Sequence, residues 1–150
     1  DSKIVDRGKD AATLICSSHP DWLTVMAGTS SNVIHSVTKA AHNLNKKVML
    51  DLLVSQFPGK SAMEAQGLGI DAILFHRPYD ESESLVFLDK WEMVKGNTSL
   101  PIFISANITK YTIVQILQLD PNGIIISKTI TEADEPEKKA EFFYGLIERK

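Results

Sequence analysis

Residues 48–53 read VMLDLL, an apolar run with a single acid inside it. Apolar and polar residues do not alternate there, so the run reads as a strand covered on both faces, as in a parallel sheet. A carboxylate in such a strand is costly unless it is paired or belongs to a site, which singles out Asp51; the alternative is an edge strand with Asp51 in water. Four more short runs surround it: WLTVMA (22–27), AILFH (72–76), IFIS (102–105) and IIIS (124–127). Their starts recur about every 25 residues, the rhythm of a βα unit, and the alternation predicts an α/β fold.

The segments between the runs carry helical period. In SNVIHSVTKAAHNLN, residues Val33, Ile34, Val37, Ala40, Ala41 and Leu44 form one stripe, with Ser31 or Asn32 as N-cap. Ile113, Ile116 and Leu117 form another behind Thr109. The last helix is announced by Asp134 as cap, Pro136 in the first turn and Glu137, and is expected to bury Ala140, Phe143, Leu146 and Ile147.

Two architectures satisfy this rhythm. A five-stranded doubly wound open sheet fits the length by itself. A (β/α)₈ TIM barrel needs about 200 residues at this spacing and typically ~250. Length favours the open sheet, but the polar residues favour the ring. Asp51, His76, Ser105 with Asn107, and Ser127 with Lys128 all fall at or near strand carboxyl ends. An open sheet gathers its ligands mainly at one crevice, whereas a barrel draws on nearly every unit.

The 150 residues suffice for one domain with a substantial core, and 43% hydrophobic with 23% charged residues is ordinary for a globular protein. A net charge of −3 with interspersed signs gives no reason to expect nucleic acid or an anionic membrane as partner. No window approaches the ~18 apolar residues of a membrane span. The single cysteine, Cys16, lies in the apolar stretch ATLIC, reads as a buried inert thiol, and fits a cytoplasmic location. His19, His35 and His42 share no metal-ligand spacing.

The opening DSKIVDRG resembles the Asp-x-Lys-x-x-Asp-x-Gly signature of the orotidine monophosphate decarboxylase suprafamily. DWLTVMAG, VTKAAHNLNKKVMLDLL, FHRPYDES and ITEADEPEKKAEFF resemble later strands and helices of that group, in order, over essentially the whole chain. The resemblance is nearest to its 3-hexulose-6-phosphate synthase and 3-keto-L-gulonate-6-phosphate decarboxylase branches. It implies a (β/α)₈ barrel of which residues 1–150 form one incomplete domain, from the end of strand three through helix eight. On the order of 60 residues are then expected before Asp1.

The resemblance also implies a chemistry and a set of roles. The reaction would be a lyase step, the Mg²⁺-dependent aldol condensation of formaldehyde with ribulose 5-phosphate through an enediolate. Asp1 would bind Mg²⁺, and Lys3, kept protonated by flanking carboxylates, would hold the enediolate. Asp6 would reach the site of a partner subunit, implying a homodimer with shared active sites. Asp51 would orient Lys3 and substrate, and His76 would move the C1 proton. Ser105, Asn107, Ser127 and Lys128 would bind phosphate, although the glycine-rich turns the group uses there are replaced by S-A-N and S-K-T. Thr129 could also donate a hydrogen bond to phosphate. Arg77 resembles the decarboxylase branch, and Tyr79-Asp80 the synthase branch. Decarboxylation of 3-keto-L-gulonate 6-phosphate, or non-catalytic binding of a sugar phosphate or a dimerisation partner, are the alternative readings.

Overall fold

The computed structural model describes residues 1–78 and 84–148, with side chains left out at 84–88. Tyr79 and Asp80 therefore lie outside the described residues. Five strands follow one another: β1 (Trp22–Met26), β2 (Lys47–Asp51), β3 (Ala72–His76), β4 (Ile102–Ser105) and β5 (Gly123–Ile125). Helices α1 (Gly8–Cys16), α2 (Ser31–His42), α3 (Pro58–Ala65), α4 (Ser84–Lys95), α5 (Ile113–Gln118), α6 (Lys128–Thr131) and α7 (Pro136–Ile147) alternate with them. All strand pairs are parallel and their spatial order is β1-β2-β3-β4-β5. Before β1, Ile4 bridges Val25 in parallel and adds one more position to the same edge.

This order decides between the two architectures. A doubly wound sheet reverses its strand order at a switch point and carries helices on both faces. Here the order never reverses, and right-handed crossovers then put every helix on the same face. The doubly wound alternative is overturned. Residues of one parity (Leu23, Val25, Val48, Leu50, Ile73, Phe75, Ile102, Ile104) join a core with Ala12, Ile34, Val37, Ala62, Trp91, Ile113 and Phe143 of the helices. The other parity forms a separate small cluster of Met49, Ala72 and Leu74, with Trp22 and Phe103 against it. The rings of Trp22 on β1 and Phe103 on β4 have centroids 5.8 Å apart. On a flat sheet those strands would lie about 14 Å apart. The sheet therefore curls with the second face inward, as an arc of a barrel does.

Two glycines mark close approaches. A Cβ on Gly123 would sit 2.6 Å from two atoms of the Phe103 ring, so the missing side chain is what lets that ring lie on the inner face. A Cβ on Gly8 would sit 2.6 Å from the Val33 carbonyl oxygen, so the glycine that closes DSKIVDRG lets α1 lie directly on α2.

Several local expectations change. The α2 cap is Ser30, whose Oγ accepts from the Val33 amide, because Ser31 and Asn32 are already inside the first turn. Leu44 lies past the helix end and is exposed. Thr112, not Thr109, precedes α5, and Glu135 precedes α7. Phe143 is buried as expected, whereas Ile147 in the last turn is exposed. Cys16 is buried. Among the described residues no helix is long and apolar enough to cross a membrane.

Candidate active site

Asp51 ends β2, an internal strand, and its side chain is 0% exposed. The reading of Asp51 as an edge residue in water is thereby excluded. Its Oδ1 accepts from the Leu53 amide at 2.8 Å, and its Oδ2 lies 2.9 Å from Nδ1 of His76 at the end of the neighbouring strand β3. A carboxylate accepts and cannot donate, so Nδ1 is the donor in this bond and Nε2 is the nitrogen that Asp51 does not engage. The His76 side chain is 11% exposed, at the carboxyl end of β3. Register explains the meeting: Asp51 stands opposite Leu74, and His76 is the next inward-facing residue along β3. Ser105 stands opposite His76 on β4.

The other charged group lies at the edge beside β1. Lys3 Nζ contacts Asp1 Oδ2 at 2.5 Å, both side chains being about half-exposed. The remaining oxygen, Oδ1, accepts from Thr24 Oγ1 at 2.7 Å. Lys3 has φ 41° and Arg7 φ 50°, left-handed conformations that non-glycine residues seldom adopt and that bracket the segment. Asp6 is exposed, and its Oδ1 accepts from the adjacent Arg7 amide. Of the two carboxylates flanking Lys3, Asp1 is the one in contact with it. Asp51 has His76 rather than Lys3 as its ionic partner, which corrects the expected pairing. The cause is register, since Asp51 sits one inward row above Thr24, where the Lys3 segment is anchored.

Among the described residues no cluster of three or more His, Cys, Asp or Glu could hold a metal. Asp1, in contact with Lys3, offers a hard, partly exposed carboxylate. One carboxylate with substrate oxygens and water is a set that Mg²⁺ accepts and that softer metals do not select.

The four predicted phosphate residues follow two adjacent strands, β4 and β5. Ser105 is half-buried on the inner face, while Asn107, Ser127 and Lys128 are exposed. Lys128 lines a hollow of about 800 Å³ with Lys110, Thr129, Glu132 and Lys139, and the other three are not part of its wall. Thr129 donates to the Ile108 carbonyl at 2.7 Å, so its hydroxyl is committed to holding α6 against the loop after β4. Reasoning from the sequence misses Lys110, although a lysine five residues past a strand end is visible in IFISANITK. It also misses Thr24, because WLTVMA reads as apolar. A hydroxyl in the middle of a strand covered on both faces needs a partner, and that is the available signal.

No family model matches this chain. Over its full length the chain is 26% identical to the 3-hexulose-6-phosphate synthase of Staphylococcus aureus (strain USA300), covering 72% of that protein. It superposes on the crystal structure of 3-hexulose-6-phosphate synthase from Salmonella typhimurium with TM-score 0.88 and 23% identity, covering 99% of this chain and 72% of the other. For the ligand-bound crystal structure of KGPDC from Streptococcus mutans the values are 0.87, 20%, 99% and 71%. Orotidine 5'-monophosphate decarboxylase from Methanocaldococcus jannaschii follows at 0.72 and 18%, covering 95% and 70%. These neighbours are the proteins of the suprafamily that DSKIVDRG and the later motifs resemble, and they fix the fold as part of a TIM barrel.

Proposed function

We propose that this chain carries the site of a sugar-phosphate lyase that acts through an enediolate, with ribulose 5-phosphate and formaldehyde as its substrates. The observation that supports this reading most directly is the buried Asp51–His76 pair at the carboxyl ends of adjacent strands. It stands one inward row above the level at which Asp1 and Lys3 are anchored to β1. A carboxylate–imidazole pair is a base with a fixed orientation, and an ammonium is a fixed charge for an oxyanion.

His76 Nε2 takes the proton from C1 of the ketose phosphate, and Asp51 stabilises the imidazolium that results. The electron pair left at C1 is delocalised onto the C2 oxygen, where the Lys3 ammonium meets the developing charge. The C1 carbon then attacks the carbonyl carbon of formaldehyde as the C2 carbonyl re-forms; a C–C bond forms, the π bond of formaldehyde breaks, and its oxygen takes the proton that the His76 imidazolium gives back. Asp1 would hold Mg²⁺, which when bound supplies further positive charge beside the enediolate oxygens. Lys128, with Lys110 and Lys139 around the same hollow and against the carboxylates of Glu132, Asp134 and Glu135 that also line it, would attract the phosphate as a point charge, in place of the backbone cradle that glycine-rich turns provide. Asp6, exposed and held by its own backbone, would serve the site of a second copy in a dimer.

The test is solvent exchange at C1. The full protein, incubated with ribulose 5-phosphate and Mg²⁺ in D₂O without formaldehyde, should incorporate deuterium at C1, and His76→Gln should stop incorporation. Lys3→Ala should reduce it by about a hundredfold or more. Exchange unchanged in Lys3→Ala would sink the mechanism. Release of CO₂ from 3-keto-L-gulonate 6-phosphate, with no condensation of formaldehyde, would move the assignment to the decarboxylase. Binding of ribulose 5-phosphate without exchange would make the chain a sugar-phosphate binder.

A further inference from the structure

The geometry points to Thr24 as the residue that positions both the carboxylate of Asp1 and the ammonium of Lys3, through a hydroxyl whose every hydrogen-bonding capacity is spent on that segment. The inference rests on the enediolate reading for its catalytic consequence, but not for its structural content. Thr24 is buried at 6% exposure in the middle of β1, on the inward parity shared with Trp22 and Met26. Its Oγ1 donates to Asp1 Oδ1 at 2.7 Å and accepts from the amides of Ser2 at 2.9 Å and Lys3 at 2.8 Å. A hydroxyl has one proton and two lone pairs, so these three bonds exhaust it. The Thr24 backbone adds to the clamp. Its amide donates to Ser2 Oγ at 2.7 Å, and its carbonyl accepts from Ser2 Oγ at 2.9 Å and from the Ile4 amide at 3.0 Å.

These bonds fall where the segment is otherwise least determined. Among the described residues a single isolated bridge, Ile4 to Val25, pairs this segment with β1, and Lys3 is in a left-handed conformation. A left-handed non-glycine residue persists where its surroundings over-determine it. The bond from the Lys3 amide to Thr24 is the contact that fixes this residue's backbone, and the bond to Asp1 Oδ1 fixes which way Oδ2 faces. Oδ2 is the atom that meets Lys3 Nζ. The relative placement of the two charged groups thus runs through one hydroxyl. Serine would keep all three bonds. Valine, of the same shape, would keep none, and the segment would be free to shift by a fraction of an ångström while β1 stayed packed.

Thr24→Val and Thr24→Ser in the full-length protein test this with two independent readouts. In the condensation assay, Thr24→Val should lower kcat by about a hundredfold with KM changed by less than about threefold, as misplacement of a reacting group does, and Thr24→Ser should restore kcat. By amide exchange, the Ser2 and Lys3 N–H groups should be protected in the wild type. In Thr24→Val they should exchange at least about tenfold faster, with Thr24→Ser near wild type. A kcat for Thr24→Val within about threefold of wild type overturns the proposal, as does a Thr24→Ser as impaired as Thr24→Val. If the wild type shows no turnover, the enediolate reading fails and the exchange arm alone decides; unchanged protection in Thr24→Val then overturns the positioning role. Should Thr24→Val fail to fold, the wild-type Lys3 amide still decides. Exchange there at the rate of an unstructured peptide overturns the assignment, and protection upholds it.

Discussion

His76→Leu should cost far more stability than its place at the rim of the arc suggests. Leucine fills most of the imidazole volume, so packing changes little, but Asp51 stays behind at 0% exposure with the Leu53 amide as its single remaining donor among the described residues. Removing the side-chain partner of a buried carboxylate typically costs about 3–5 kcal/mol, because the charge is left uncompensated. Against a total of roughly 5–15 kcal/mol for a domain, that is a large share. At ~2–4 °C per kcal/mol for a chain of this size it lowers the melting midpoint by about 6–20 °C. Asp51→Asn behaves differently, since the amide oxygen can still accept from Leu53 and the NH₂ group can donate to His76 Nδ1; it should cost about 1 kcal/mol. The double variant carries no buried charge, so its loss should fall short of the sum of the singles by at least about 1 kcal/mol. Urea unfolding followed by circular dichroism and by Trp22 and Trp91 fluorescence measures all three, coincident transitions establishing that a single free energy is meaningful. A His76→Leu variant within about 1 kcal/mol of wild type, or strict additivity in the double variant, would refute the reasoning.

Two further substitutions probe the close approaches. Gly8→Ala drives a methyl group into the Val33 carbonyl, a backbone atom that cannot swing aside, so α1 must lift from α2. The loss should be near the upper end of the ~1–3 kcal/mol typical of overpacking, visible as a lower urea midpoint with unchanged slope. Gly123→Ala meets the Phe103 ring instead, which must rotate and separate from Trp22. A loss of about 1–3 kcal/mol should come with a changed Trp22 emission, and unchanged emission would count against the ring contact across the arc.

The strands are legible in the sequence because each is a short run of β-branched and apolar residues bounded by turns, and their bounds shift by at most a residue or two. The barrel geometry is legible from where Asp51, His76 and Ser105 fall, because polarity at successive strand ends is what a ring requires. The helices are less so. GKDAATLIC, PGKSAMEA and SLVFLDKWEMVK carry no stripe strong enough to be read one by one, and tertiary packing of Ala12, Ala62 and Trp91 settles them. The Asp51–His76 pair is within reach of the sequence, since sequential strands in a barrel are neighbours and both residues face inward near the same end. Weighing each residue alone hides the pair, and the resemblance sets Asp51 toward Lys3 instead. Position after a strand singles out the phosphate residues but says nothing of direction. Ser105 faces the interior, while Lys128 opens onto the hollow beside α7.

The two parities of the strands explain why the chemistry sits where it does. Outward residues are fixed by the helices they pack on, and Leu23, Val25, Leu50, Ile73 and Ile104 leave no freedom for polar groups there. Inward residues form rows defined by register. The row of Trp22 and Lys47 lies deepest, followed by Thr24, Met49 and Ala72, then Met26, Asp51, Leu74, Phe103 and Gly123, then His76, Ser105 and Ile125. In the lower rows the curl brings side chains from separate strands into contact, as Trp22 and Phe103 show, so a polar group survives there when every bond is made, as in Thr24. In the upper row the arc opens, and His76 can keep one nitrogen bonded below to Asp51 and one turned outward. A proton carrier needs that arrangement, with an anchored side and a reacting side. Moving the pair one row deeper would bury both nitrogens, and moving it one row higher would expose Asp51 and weaken the pair through solvent. The register of β2 against β3 therefore specifies the reactivity of His76 as directly as the residue itself does.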